Sequence, residues 1–336
     1  LFYVFMFIKI ITIEYILIFS HELIHLIASL FLGFKCNLFH VIPFTIYRYK
    51  SRFKISLKPR IENNITSRCH FENCKLSSSL DYLILLKKIK IFLWIGPIFD
   101  FLIILLLFCI GISIPSLFFL TLTSIFHLII STMNFFNSDG KYAIGSKEDK
   151  RIAFDLVRMF SICGDGLIPE ESKRIMTDKH LNISNTINWV EFDVNDLWNF
   201  LNNISFFTNS LLSYLNNDII SLHPSTISFF ETLIRDFDKI KDLDYRQEEK
   251  TSISIILYFI YMKLQSDNFI PPYEISKKVY KYCNSIYYKK LYDYYFNNKI
   301  LNELFLINEN NMPIENRNCH GFSKLLKNII VLNKRN

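Results

Sequence analysis

The sequence predicts a mainly α protein: a polytopic membrane core of three transmembrane helices with a short β-hairpin region, followed by an all-helical soluble domain. Three observations predict it. The 336 residues are 51% hydrophobic, too apolar for an ordinary soluble chain. Three segments, residues 2–34, 91–112 and 115–136, each reach the ~20 residues that cross a roughly 30 Å hydrocarbon layer. From about Lys147 the composition turns to Asn, Lys, Asp and Tyr with helical spacing, which divides the chain into a membrane-embedded part, 1–146, and a helical part, 147–336.

The first segment is longer than one crossing and contains Lys9 and Glu14, so it is tilted, extends beyond the bilayer, or is broken. A secretory signal is the competing reading; the apolar run exceeds a signal's length and no small-residue cleavage site follows. The sequence begins at Leu1, and three spans are read as a minimum.

The stretch FKCNLFHVIPFTIYRYKSRFKISLKP alternates apolar and polar residues and reads as short strands. Twelve Lys and Arg residues lie between the first two spans, from Lys35 to Lys90, whereas GISIP between the second and third carries no charge. The positive-inside rule places the long loop in the cytoplasm and the short turn outside. The third span then returns the chain to the cytoplasm, in agreement with Lys141, Lys147, Lys150 and Arg151 just after it. The net charge of +7 is explained by basic loops against anionic headgroups and calls for no nucleic acid. Seven cysteines, scattered and with no CxxC pair, fit reduced thiols better than a disulfide framework.

Chemistry is concentrated in HELIH. His21 and His25 lie four apart, so on a helix both imidazoles face one point and make half of a tetrahedral zinc site. Glu22 sits beside them, placed to take a proton from water activated by such an ion. The pattern arises by chance in roughly one chain of this composition in a hundred, but ionisable groups inside a span cost at least ~2.5 kcal/mol each and are functional by default. The alternative is a pair of core histidines with Glu22 as counter-ion.

The third ligand would be Asp139, in FFNSDGKY directly after the third span. His25 lies 23 residues beyond Phe2 and Asp139 lies 24 beyond Pro115, so both sit roughly 35 Å along parallel spans and can meet at one depth. Gly140 would let the chain leave the helix and turn the aspartate inward. An Asx-type turn closing the helix is the equal alternative.

Taken in order, these residues resemble the site-2 protease family of intramembrane zinc metalloproteases. The matching elements are the HELIH helix followed by Ala28 and Gly33, a Gly-Pro at the start of the next span (Gly96, Pro97 in WIGPIFDFLI), and Asp139-Gly140 at the end of the span after that. The resemblance covers residues 2–144. It implies zinc held by His21, His25 and Asp139, Glu22 as general base, and Gly96, Pro97 and position 100 beside the substrate. Where the family carries Asn three residues after the Gly-Pro, this chain has Asp100, and the stretch from Asn134 to Asp139 lacks the family's proline.

Other polar groups are weaker signals. Glu14, seven residues before His21, is either a partner that orients an imidazole or a mate for Lys9; His127 is read as a hydrogen bond to a neighbouring helix. CHFENC (69–74) is read as an exposed loop rather than a second metal site. In the helical part, IAFDLVRMF, NDLWNFLNNISFF, SISIILYFIYMKL and KLLKNIIVL carry helical spacing, and residues 253–264 are too short to cross a bilayer. Pro224, Pro271-Pro272 and Pro313 mark breaks, and the tyrosines of YKYCNSIYYKKLYDYYF read as core plus rim.

The expectation is thus a multi-pass zinc endopeptidase of the cell membrane that acts on membrane-spanning or membrane-tethered proteins or peptides. Its helical domain would be cytoplasmic and open to a regulatory protein. A catalytically inactive membrane adaptor of the same fold is the alternative; a metal-ion transporter is a further one, which would call for more spans or paired symmetric halves.

Overall fold

A computed structural model describes residues 2–41, 44–49, 52–56, 67–72, 75–137, 139–162, 169–187, 197–240 and 245–297. The chain divides into two compact units, Leu1–Lys75 with Ser79–Gly164, and Leu76–Ser78 with Asp165–Asn336.

The first unit opens with α1 (Phe2–Phe31), an unbroken apolar helix. It ends at Gly33, whose φ of +77° suits a residue without Cβ; the Gly33 N–H donates to the Leu30 carbonyl at 3.2 Å and the Phe34 N–H to that of Ser29 at 2.8 Å. This cap turns the chain straight into a sheet of β1 (Lys35–Val41), β2 (Phe44–Tyr49), β3 (Arg52–Ser56) and β4 (Ser67–Glu72). All pairings are antiparallel, in the order β3-β2-β1-β4. Phe39 and Val41, two apart on β1, share its buried face, and Phe39 meets Phe19 of α1 edge-on at 5.7 Å.

A lone short hairpin is therefore not what forms. The outer edge of β1 is taken up by β4, paired from Lys35↔Glu72 to Val41↔Ser67, which satisfies backbone groups that a hairpin would leave open. Cys69 and His70, expected in an exposed loop, belong to that strand, while Cys74 lies outside the described residues.

Next come α2 (Ser79–Ser113), a short 3-10 turn, α3 (Phe118–Asn137), α4 (Asp139–Glu148) and α5 (Lys150–Ile162). Tyr82, Leu85, Ile89, Phe92, Gly96 and Asp100 recur every three or four residues and form the buried face of α2. Ile98, Phe101, Leu102 and Leu105 point outward. Three helices, Tyr3–Phe31, Ser79–Ser113 and Pro115–Met133, are long and apolar enough to cross a membrane. Four of their hydroxyls return to their own helix: Thr12 donates to the Ile8 carbonyl, Ser29 to Leu26, Thr123 to Phe119 and Ser124 to Thr121. Asp149 caps α5 by accepting from the Arg151 N–H at 2.8 Å. Burial raises its carboxyl, but bonds and charge from Arg151 outweigh this and hold it below the usual range.

The regular elements described in the second unit are helices, the longer ones being α6 (Glu170–Ser184), α7 (Leu197–Leu215), α8 (Pro224–Arg235), α9 (Tyr245–Gln265), α10 (Tyr273–Tyr282) and α11 (Ile286–Phe296). Residues Ile255 to Ile260 of α9 are almost wholly buried, so the apolar run at 253–264 is a core helix. Phe207 stacks on Phe229, and Phe230 on Tyr258, at 4.6 and 5.2 Å. Pro224 opens α8, and Pro271-Pro272 separate α9 from α10. Pro313 and the KLLKNIIVL segment lie outside the described residues.

Candidate metal centre

The histidine pair on α1 meets the first residue of α4. His21 Nε2 and His25 Nε2 are 3.2 Å apart, and Asp139 Oδ2 lies 3.1 Å from His25 Nε2 and 3.9 Å from His21 Nε2. Among the described residues this is the one group of three such side chains with ligand atoms so close. Asp139 opens a helix instead of closing a turn, and an acidic residue in a first turn is favoured by the peptide dipoles. Gly140 lies buried inside α4; a Cβ there would come within 2.3 Å of the Phe135 ring, so its part is close packing and not a turn.

The donor set fits a small divalent cation. Tetrahedral bonds of about 2.0–2.2 Å separate two ligand atoms by roughly 3.3–3.5 Å, and the three observed separations bracket that value. Space is left by Gly96 of α2, where a Cβ would sit 2.3 Å from His25 Nε2 and 2.8 Å from His21 Nε2. Side-chain exposure is 20% for His21 and 28% for Asp139 against 4% for His25, so water reaches the donors from one side. Glu22, the next residue after His21, is buried.

Around the donors lies a polar network across the three long helices. His21 Nδ1 donates to Asp100 Oδ1 at 2.9 Å, and Ser131 Oγ donates to Asp100 Oδ2 at 2.9 Å. His127 Nε2 is 3.3 Å from Ser131 Oγ, and its Nδ1 donates to Glu14 Oε2 at 2.9 Å. The structure thus turns Asp100 to His21, although position 100 was expected beside the substrate. Glu14 meets His127 and neither His21 nor His25, while Lys9 lies over the Phe119 ring at 5.3 Å. Pro97 is half-buried within α2, which runs on through it.

Sequence reading missed Ser131. Its signal was the spacing to His127, four residues and hence one helix face, opposite Asp100. His25 has no comparable support: its buried Nδ1 has no hydrogen-bond partner among the described residues, and the ring rests on Phe92 at 4.6 Å.

No family model, no curated protein and no solved structure matches the chain.

Proposed function

We propose that the chain is a zinc-dependent intramembrane endopeptidase of the site-2 protease kind. The observation that carries this reading is the meeting of His21, His25 and Asp139 ligand atoms at 3.1–3.9 Å, from helices more than a hundred residues apart in sequence, beside a buried Glu22. His21, His25 and Asp139 would hold the ion. A zinc ion so held would polarise a scissile carbonyl and lower the pKa of water.

The chain's own residues do the rest. Glu22 takes the proton from the attacking water and gives it to the leaving amine. Asp100 keeps the His21 proton on Nδ1 and leaves its Nε2 lone pair for the ion. Gly96 and Pro97 border the place where a substrate backbone, unwound so that its carbonyl is accessible, would approach. The substrate is a membrane-spanning or membrane-tethered peptide. Charge asymmetry of the loops supports a cytoplasmic second unit, available to a regulatory protein.

The test compares wild type with Glu22→Gln, purified in detergent, on tethered peptides. Both should retain zinc, and the variant should cleave at least about 10²-fold more slowly. Equal cleavage would remove Glu22 as the base, and a wild type that binds no zinc would remove the metalloprotease reading.

A further inference from the structure

We infer that Asp100, clamped by Ser131, is the positioning residue that makes His21 a competent metal ligand; the inference rests on the metal reading above.

The geometry is a closed loop. From His21 on α1 it passes to Asp100 on α2, then to Ser131 and His127 on α3, and back to α1 at Glu14, two helical turns before His21. Side-chain exposure is 8% for Asp100, 3% for His127 and 7% for Glu14, so these bonds form away from water. An imidazole can present Nε2 to a cation only if the ring proton is on Nδ1, and an acceptor at Nδ1 fixes both tautomer and ring angle. Asp100 supplies that acceptor with Oδ1, and Ser131 occupies Oδ2, which leaves the carboxylate no freedom to rotate.

The contrast with His25 makes the role specific. Its ring is wedged between Gly96 and Phe92, and no acceptor meets Nδ1 among the described residues. Aim at His25 comes from packing, whereas at His21, with 20% of its side chain exposed, it comes from the carboxylate. Loss of Asp100 should therefore free one ligand and leave the other in place. Removal of a hydrogen-bonding group behind a ligating histidine typically weakens metal binding about 10- to 100-fold.

The experiment measures zinc affinity by chelator competition, and the visible spectrum of the cobalt-substituted protein, for full-length wild type, Asp100→Asn, Asp100→Ala and Ser131→Ala in detergent. Asp100→Ala should bind zinc about 10- to 100-fold more weakly with an altered cobalt spectrum. Asp100→Asn, which keeps an acceptor without the charge, should fall between it and wild type, and Ser131→Ala should be weakened less than Asp100→Ala. A purely structural clamp would lower the melting temperature of the metal-free protein and leave the affinity and spectrum of the folded fraction unchanged; that result overturns the inference. If Asp100→Ala does not fold, the other two variants decide, and wild-type affinity in both overturns it. Wild type that binds no zinc removes the metal reading and the inference together, whereas equal affinity in all variants removes the inference alone.

Discussion

Gly96→Ala places a methyl group where imidazole atoms already stand. The added Cβ would lie 2.3 Å from His25 Nε2, 2.6 Å from His21 Cε1 and 2.8 Å from His21 Nε2. Ordinary non-bonded contact needs about 3.5 Å, so the rings and α2 must separate by roughly 1 Å. Metal bonds tolerate only about 0.2 Å, and reacting groups displaced by 1 Å lose about 10²-fold in rate. Zinc at a hundred times its Kd stabilises wild type by about 2.7 kcal/mol; a site weakened a hundred-fold, at the same zinc concentration, gains only about 0.4 kcal/mol. Melting curves of the detergent-purified protein with zinc and with chelator read that difference directly. Since alanine is the better helix former by about 1 kcal/mol, the metal-free variant has no propensity loss that would mimic the effect. An unchanged zinc-dependent shift in Gly96→Ala would refute the claim that this glycine makes room for the donors.

Two further outcomes follow from the packing. His180 of α6 is buried: its Nε2 accepts the His223 N–H at 3.2 Å, its Nδ1 faces Ser184 Oγ at 3.4 Å, and burial together with the His223 charge pushes its pKa down to about 4. The unfolded chain then binds a proton that the folded one refuses, so stability is complete above the ordinary histidine pKa of about 6.5 and falls with pH down to 4, by about 3 kcal/mol. Hydrogen exchange of segment 217–223, corrected for intrinsic pH dependence, should show that loss, and His180→Gln should abolish it. Where α2 turns into α3, a Cβ at Gly111 would lie 2.5 Å from the Thr121 backbone nitrogen, so Gly111→Ala should destabilise the α2–α3 contact by about 1–3 kcal/mol, seen as a lower melting temperature in detergent.

Much of the first unit was legible because hydropathy and helical period act locally. The expected first and third spans, 2–34 and 115–136, fall close to α1 and α3 with its preceding turn. Hydropathy failed for α2, which begins at Ser79 and not at 91, because Lys87, Lys88 and Lys90 mask the continuation; the spacing of Tyr82, Leu85 and Ile89 carried it instead. The pairing of β4 with β1 depends on residues some thirty positions away, and alternation within one strand says nothing about its partner. Likewise α4 has little amphipathic pattern, and its buried Gly140, Ala143 and Ser146 make it helical through close packing.

The candidate site was partly legible for the same reason. HELIH fixes the spacing of His21, Glu22 and His25, and Asp139, expected beside the histidines from its distance along the third apolar segment, lies 3.1 Å from His25. What stayed hidden is the network behind them, since each bond joins two helices whose rotation no single segment reveals. The same spacing rule was nonetheless at work: Glu14 and His21 are two turns apart, Gly96 and Asp100 one turn, His127 and Ser131 one turn.

Electrostatics bears on the cation site proposed above. Three carboxylates, Glu14, Glu22 and Asp100, and three imidazoles, His21, His25 and His127, lie in helices suited to a bilayer, and each such group costs at least about 2.5 kcal/mol to place there. Hydrogen bonds account for the outer groups: His127 Nδ1 donates to Glu14, and Asp100 accepts from His21 Nδ1 and Ser131 Oγ. In the inner group a single N–H faces two acceptors. With its proton on Nδ1, His21 turns a lone pair toward His25 Nε2 at 3.2 Å, and an N–H on that nitrogen also faces the Asp139 carboxylate at 3.1 Å. One proton satisfies one pair of such atoms, whereas the divalent cation proposed above would satisfy all three.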